Sequence, residues 1–277
     1  MLNYNPSIPQ RAFDIINTFD IEYLLLIPDD IFQHLFLQYL SIEDIRQFDN
    51  AITNRKHRSQ YLAKIANSVL LHVNHRFYGT NSSMLQWLKN KKLYLISISF
   101  QEVVLTESLI IDIREIFRHC ESLSFYATNT IDSNTLNLII SECVKLKSLT
   151  LSNDFCNNMF TTNCAGLQSL SLNCCYNITD ESVISISMNC TGLQSLNLSE
   201  CDDITDKSIF SIAENCTKLQ ALSMNACDNI TDISIIELSK HCKSLTFLDI
   251  SRCSNVSEVF RKIYHSMIHL QDLHRYK

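Results

Sequence analysis

The residue type with the most chemistry to offer in this sequence is cysteine, of which the chain has 12. Most of the cysteines belong to two series, each with one constant interval between successive members. The first series is Cys164, Cys190, Cys216 and Cys242, and the second is Cys175, Cys201, Cys227 and Cys253. Thiols form disulfides, bind zinc or act as nucleophiles, so each of these uses has to be weighed against the spacing.

Disulfides between neighbouring members of a series are geometrically possible. If successive members stack on adjacent strands, their Cα atoms lie ~4.8 Å apart, which is within disulfide range. The N-terminus shows no secretory signal pattern, however, and thiols stay reduced inside cells. We therefore expect free thiols, and a thiol count close to 12 in the denatured, unreduced chain.

Zinc binding and nucleophilic chemistry fit the spacing less well. Structural zinc sites use close pairs such as C-x2-C, whereas the closest pair here is the adjacent Cys174 and Cys175. His241 beside Cys242, and the separate pair His265 and His269, are isolated. Apolar surroundings also raise the pKa of a thiol instead of activating it. We expect small buried residues, with no metal, no cofactor and no catalytic residue.

The rest of the composition argues against other classes of protein. The three glycines, Gly79, Gly166 and Gly192, lie far apart in the sequence, so a glycine-rich phosphate-binding loop is absent. Acidic residues outnumber basic ones by 29 to 23, and the net charge of -6 disfavours nucleic-acid binding. No apolar run approaches the roughly 18 residues of a membrane span. We expect a soluble, non-enzymatic protein of the cytoplasm, with the nucleus possible, and no membrane partner.

The cysteines are carried by a repeat with the pattern C-x2-L-x2-L-x-L-x2-C-x2-I-T-D-x-S-[IV]. In the copy that begins at Cys190, the alternation over 196–198 predicts a short strand with one buried face. Thr205 predicts a helix N-cap, and Asp206 the first turn of that helix. Apolar residues follow at helical spacing: Ile209, Ile212, Ala213 and Cys216. Because one unit cannot bury both of its apolar faces alone, the units must stack.

This pattern resembles the leucine-rich repeat, and specifically its cysteine-containing subfamily. The resemblance implies an α/β fold, a leucine-rich-repeat solenoid with parallel strands on the concave side and helices on the convex side. Weaker copies extend it upstream, and we place the first leucine of each copy at positions 93, 123, 146, 167, 193, 219 and 245. The last four of these positions are evenly spaced, and the earlier ones are not. We expect the shortest copy, which runs from position 146 to 166, to lack a regular convex helix.

Residues 24–66 have a different pattern, which predicts a small module of short helices. Pro28 favours a helix start, and Ser41 begins a capping box for a second helix. A third helix is predicted over 58–73. Apolar residues recur on the faces of the first two helices: Ile31, Leu35, Tyr39, Ile42, Ile45 and Phe48.

The module resembles an F-box. The matching residues are the run 27–31, then Leu35, Tyr39, Leu40, Ser41, Asp44, Ile45 and Phe48. The resemblance implies docking on the adaptor subunit of an SCF-type ubiquitin ligase, which is carried by a cullin scaffold. The implied adaptor-binding residues are Pro28, Ile31, Leu35, Leu40, Ile45 and Phe48. The family often has a cysteine and then a tryptophan after the second helix, whereas this chain has the segments 49–51 and 56–58 without either.

A second interpretation of the module is that its helices only cover the apolar edge of the first repeat, since solenoids need terminal caps. We divide the chain into a leader (1–23), the F-box-like module (24–66), a linker and N-terminal cap (67–90), the repeats (91–256) and a C-terminal capping helix (257–277). Within the linker we expect a loop over 74–83, followed by a short helix over 84–88 that packs Trp87 against the first strand.

The resemblance also places a binding surface on the concave side, where polar residues alternate with the strand leucines. Towards the C-terminal end we expect contacts to a protein partner from Asn197, Glu200, Asn225, Phe247, Asp249 and Arg252, since aromatic and arginine side chains are enriched at interfaces. Phe247 packing on the C-terminal cap is an equal alternative. The expected function is substrate recognition for an SCF-type ligase, with an unknown target. The alternative is an interaction scaffold without any ligase connection.

Overall fold

The computed structural model describes residues 25–26, 28, 42–52, 55–67, 75–78, 82–101, 105–126, 131–152 and 165–260. Several predictions fall outside these residues: the leader, most of the first helix of the module, the part of the shortest copy from position 153 to 164, and the C-terminal capping helix after position 260. Cys156 and Cys164 also lie outside them.

Within these residues, eight parallel strands form one sheet in which the spatial order is the sequence order. The strands are β1 His75–Tyr78, β2 Ser97–Gln101, β3 Ser122–Tyr126, β4 Ser148–Leu151, β5 Ser169–Ser171, β6 Ser195–Asn197, β7 Ala221–Ser223 and β8 Phe247–Asp249. Each strand pairs with its neighbours along the chain, as expected for stacked repeat units. The predicted leucine-rich-repeat solenoid is confirmed.

Helices connect the strands and precede the sheet. They are α1 Ile42–Ala51, α2 Arg55–Asn67, α3 Ser82–Lys91, α4 Glu107–Ile113, α5 Ser133–Glu142, α6 Asp180–Asn189, α7 Asp206–Asn215 and α8 Asp232–His241. A 3₁₀ helix, Arg114–His119, directly follows α4. No helix among these described residues has the length and apolar character needed to span a membrane.

The regular repeats follow the local rules that predicted them. In β6, Leu196 is 1% exposed while its neighbours in the strand are half-buried. Thr205 is the N-cap of α7, and its side chain accepts a hydrogen bond from the Lys207 amide. Ile209 and Ile212 lie on the buried face of that helix. The predicted strand, cap and helix of this unit are therefore confirmed.

The first residue of α6, α7 and α8 is an aspartate that also binds the next repeat, which the sequence pattern did not predict. Asp206 accepts hydrogen bonds from the amide and the hydroxyl of Thr231, at 2.8 and 2.6 Å. Asp180 accepts the same two bonds from Thr205, and Asp232 accepts one from the Ser257 amide at 2.8 Å. These carboxylates therefore fasten each repeat to its C-terminal neighbour, besides starting their own helices.

The register of the sheet corrects the alignment of the first two copies. Ile98 pairs with Leu123, so the second apolar positions fall at 98, 123, 149, 170, 196, 222 and 248. The spacing of these positions is nearly even, and the one short step is from 149 to 170. The prediction that Leu93 and Leu123 hold the first position is wrong, because Leu95 and the buried Cys120 occupy it. A cysteine in a leucine position concealed the regular spacing.

The sheet also begins earlier than predicted. The expected loop over 74–83 contains β1, which pairs in parallel with β2 so that His75 lies opposite Ile98. The sequence His-Arg-Phe-Tyr has no leucine alternation to distinguish it from a loop. The short helix predicted over 84–88 is confirmed and extends to Ser82–Lys91. The predicted third helix of the module begins earlier than expected, and its described part is Arg55–Asn67.

Candidate protein-interaction surfaces

The ten cysteines that the structure describes are free thiols, and nine of them are buried. Those of the second series donate a hydrogen bond to a carbonyl of the preceding repeat. The pairs are Cys175 with Leu151 (3.6 Å), Cys201 with Leu172 (3.2 Å), Cys227 with Leu198 (3.1 Å) and Cys253 with Met224 (2.9 Å). Two of these carbonyl groups, those of Leu172 and Met224, also accept a bond from the amides of Cys175 and Cys227, so the thiols add hydrogen bonds between repeats. The prediction of stacked buried thiols is confirmed, with a donor role added.

The environment of these thiols suits packing and not chemistry. Burial, with a small contribution from nearby Cys242, raises the pKa of Cys216 to about 12. Burial likewise raises the pKa of Cys227 to about 12. Such thiols stay protonated near neutral pH and are poor nucleophiles. Within the described parts of the chain, no group of three or more His, Cys, Asp or Glu side chains is arranged to hold a metal ion.

The concave face is formed by strand residues that alternate with the buried leucines. One row runs through Ser99, Ser124, Thr150, Ser171, Asn197, Ser223 and Asp249. From Ser99 to Ser223 the row is uncharged, and it ends at the carboxylate of Asp249. Ser199, just after β6, is joined to Ser223 by a hydrogen bond of 2.8 Å between their hydroxyls. Polar side chains at the C-terminal end of this face therefore hydrogen-bond one another between repeats, whereas the buried Ser99 hydroxyl has no hydrogen-bond partner within the described part of the chain.

The structure brings four of the six predicted partner-binding residues to the C-terminal part of this face. Asp249 accepts a hydrogen bond from the Ser223 hydroxyl (3.4 Å) and another from the Ser251 amide (3.0 Å). Asn225 donates to the Ser251 hydroxyl, and the Asn197 side chain accepts a bond from the Ser199 amide at 2.9 Å. Phe247, the fourth, begins β8 and is 53% exposed. Its exposure leaves an aromatic group beside a fixed carboxylate.

The other two predicted residues, Glu200 and Arg252, lie in the turns that follow the strands. Both have left-handed backbone conformations, with φ of 57° and 60°, and Cys174 and Ala226 occupy the equivalent positions with φ of 59° and 57°. Glu200 accepts a hydrogen bond from the Cys174 thiol at 3.5 Å. Arg252 is exposed. The turns thus present one side chain per repeat at the rim of the concave face.

The helical module is attached to the solenoid by a buried charge. Asp49 on α1 is 0% exposed and binds the Arg58 guanidinium through both carboxylate oxygens, at 2.6 and 2.8 Å. It also accepts a bond from the Trp87 indole at 3.1 Å, and the Lys91 ammonium lies 3.3 Å away. The Trp87 indole N–H therefore binds the module, while the side chain packs against the buried core. Three helices converge on this one carboxylate.

The pKa of Asp49 is lowered in this environment. Burial alone would raise the pKa, but the hydrogen bonds from Arg58, Trp87 and Lys91, together with the charge of Lys91, outweigh the effect of burial. A buried carboxylate is stable only when it is paired in this way. Asp49 and Arg58, two of the four interacting groups, lie in the segments where the chain departs from the F-box pattern. They are on different helices, and no motif in the sequence predicts their ion pair.

The predicted adaptor-binding residues are only partly described. Ile31, Leu35 and Leu40 lie outside the described residues, as does the side chain of Phe48. Pro28 is exposed. Ile45 is 0% exposed, and its carbonyl accepts a bond from the buried Tyr61 hydroxyl at 3.4 Å. The predicted docking role of Ile45 is at odds with this burial, because the side chain packs inside the chain.

Comparison with known proteins agrees with this architecture. Residues 189–213 match the leucine-rich repeat family. A chain from the crystal structure of the yeast Rad7 and Elc1 complex is similar over 79% of this chain and 62% of that chain, with 17% identity and a TM-score of 0.57. This chain therefore spans 62% of the length of that neighbour.

An internalin (inlF) from Listeria monocytogenes is also similar, with 13% identity, coverage of 88% of this chain and 95% of that chain, and a TM-score of 0.38. A search of curated proteins finds no match. The parallel sheet and the family match together show a solenoid of the leucine-rich-repeat class.

Proposed function

We propose that this protein is a non-catalytic substrate-recognition subunit of an SCF-type ubiquitin ligase. The helical module would bind the adaptor subunit, and the concave face would bind a target protein. The observation that carries the proposal is the order of parts along one chain, in which a helical segment with an F-box pattern directly precedes a leucine-rich-repeat solenoid. The similarity to a chain from the Rad7 and Elc1 complex supports assembly with another protein.

The Asp49 junction gives the proposal a mechanism. Because α1, α2 and α3 meet at one fully buried carboxylate, a partner held by the module would keep a fixed position relative to the concave face. Holding a target near a ubiquitin-loaded enzyme raises its effective concentration. No chemical step is then required of this chain. The C-terminal residues Phe247, Asp249 and Arg252 would supply the aromatic and charged contacts to the target.

The test is co-purification of the chain with the SCF adaptor subunit. We expect a stoichiometric complex with the wild-type chain, and its loss on substitution Ile31→Asp. A matched control is Ile111→Asp, since Ile111 is 51% exposed on α4 and is not part of the module. The proposal is rejected if a known F-box protein binds the adaptor under the same conditions and this chain does not.

A second candidate function is an interaction scaffold with no ligase connection. The contact of Asp49 with Trp87 favours it, because it shows α1 packed against α3 at the N-terminal end of the sheet, as a terminal cap would be. In that case the chain fails to bind the adaptor, and deletion of residues 24–66 exposes the first repeat. The deleted chain would then aggregate, which light scattering detects.

A further inference from the structure

The edge of the sheet from which the strands begin carries a row of side chains with no role in the proposed function. Three residues before the first residue of β2, β3 and β4 lie Tyr94, His119 and Lys145, and the paired register of these strands makes the three positions neighbours. The Tyr94 and His119 rings lie 4.8 Å apart between centroids, which confirms that they are adjacent. In the next two repeats glycines occupy the same position, first Gly166 and then Gly192. The row of side chains therefore ends at Lys145.

The charges around His119 are positive. Burial, then the charge of Lys145 and then that of Arg118, lower the pKa of His119. Arg118 and Lys145 are both exposed, and among the described residues neither has an ion-pair partner. The acidic residues near this edge are Glu115, in the same 3₁₀ helix as Arg118, Glu121, which pairs with Lys147 at 2.9 Å, and Glu142, the last residue of α5. Arg118 and Lys145 are therefore exposed cations of this edge that no carboxylate of the described residues contacts directly.

His119 adds a second and independent observation. Its Nδ1 atom is buried and has no hydrogen-bond partner, although the residue as a whole is half-buried. A neutral imidazole carries one proton, and a buried N–H without an acceptor is unfavourable. The favoured tautomer therefore carries the proton on Nε2, so that this nitrogen is the ring's donor for an acceptor group.

We infer that Arg118, His119 and Lys145, here called the basic edge, bind an acidic peptide segment of a partner protein. Two exposed cations and a ring N–H offer donors for carboxylates, and Val144, which precedes Lys145 and is 73% exposed, offers an apolar contact. The basic edge lies where the strands begin. None of its three residues belongs to the concave face or to the helical module.

The probe is a fluorescein-labelled hexaglutamate peptide, whose binding to the full chain is followed by fluorescence anisotropy without any adaptor. We expect the double variant Arg118→Gln/Lys145→Gln to raise the Kd at least tenfold. The matched control is Lys218→Gln/Lys243→Gln, because these exposed lysines hold equivalent positions before β7 and β8, where Ser244 takes the place of the histidine. We expect the control to change the Kd less than twofold.

A second variant tests the ring. His119→Phe keeps an aromatic group next to Tyr94 and removes both nitrogens, and we expect it to raise the Kd about threefold. The His119 ring resonance should also shift on addition of the peptide in the wild-type chain. The inference is overturned if hexaglutamate binds both double variants with equal affinity, since binding would then depend only on total charge. It is equally overturned if the His119 resonance does not move. Neither outcome bears on adaptor binding.

Discussion

The two halves of the solenoid are built from the same unit but are held together differently. In the C-terminal half, from β5 to β8, contacts recur in register: a carboxylate of one repeat binds a threonine of the next, and a thiol binds a carbonyl of the previous one. In the N-terminal half the helix caps are local. Asp132 binds the amide and hydroxyl of Thr135 in its own helix, at 2.8 and 2.9 Å.

The N-terminal half instead depends on contacts that occur once. Phe100 stacks on Phe125 at 5.3 Å and lies 6.3 Å from Phe117, by ring centroids. The buried Asp49 has no counterpart elsewhere in the described residues. The difference teaches that one solenoid can be stabilised by many equivalent small contacts or by a few large individual ones. The two kinds of contact should respond differently to single substitutions.

The largest effect is expected at the buried carboxylate. Asp49→Ala leaves Arg58 and the Trp87 indole without their partner, and breaking a buried ion pair costs about 3–5 kcal/mol. Urea unfolding measures this loss, and loss of protection at α1 and α2 should accompany it in hydrogen exchange. Replacing the exposed Asp203 with Ala is the control and should change stability by less than ~0.5 kcal/mol. A loss below ~1 kcal/mol for Asp49→Ala would contradict the role of the junction.

Acid should weaken the same junction. Because the pKa of Asp49 is lower in the folded chain than its ordinary value, the stabilisation is complete above the ordinary Asp pKa of about 4. It is lost as the pH falls through the lower folded value. Hydrogen exchange of α1 and α2 should therefore rise relative to that of α7 as the pH falls below about 4. In Asp49→Asn, which is already destabilised, this additional acid response should be absent. An equal response in both chains would refute it.

A smaller effect is expected where repeats share a cap. Asp206→Ala removes the partner of the Thr231 amide and hydroxyl, and leaving such groups unpaired costs about 1–3 kcal/mol. Asp132→Ala removes only a local cap and should cost about 1 kcal/mol. Chemical denaturation of the two variants measures the difference. If both variants lose the same stability, coupling between repeats through Asp206 is not significant.

The two matched glycines probe how closely neighbouring repeats approach. A Cβ on Gly192 would lie 3.0 Å from the Ala165 carbonyl oxygen, whereas a Cβ on Gly166 would lie 3.7 Å from that of Leu146. Gly192→Ala should therefore destabilise the chain by about 1–3 kcal/mol, and Gly166→Ala should be tolerated. Thermal unfolding of both variants is the measurement. Equal melting temperatures would show that the C-terminal repeats pack no more closely against one another than the repeats next to the short copy do.

The smallest effect is expected in the turns at the rim. Ala226 has a left-handed φ of 57°, a conformation that costs about 1–2 kcal/mol for residues other than glycine. Ala226→Gly removes that strain but increases the freedom of the unfolded chain, so we expect a gain below ~1 kcal/mol. The control is Ala213→Gly inside α7, which should lose stability. A loss of stability for Ala226→Gly would refute the strain argument.

The sequence predicted the C-terminal half of the solenoid better than the N-terminal half, because repeated contacts follow a periodic pattern and single contacts do not. The regular copies were placed correctly because Cys190, Leu196 and Thr205 each recur at one interval, and local alternation is enough to define strand and helix. The register of the first two copies was misassigned because Cys120 stands in a leucine position, and β1 was missed because its four residues carry no leucine pattern. Of the candidate surface, Asn197, Phe247 and Asp249 were placed on the concave face by the repeat alone.

The sequence by itself determined the repeat, the parallel order of its strands, the helix starts and the burial of the thiols. Each of these follows from side chains whose neighbours lie within one unit or at the same position of the next. The tertiary structure alone decided the Asp49 junction, because its donors follow Asp49 at unequal intervals and no periodic pattern links them. It also decided the row of Tyr94, His119 and Lys145, because these residues become neighbours only once the strands of the first copies pair in their true register.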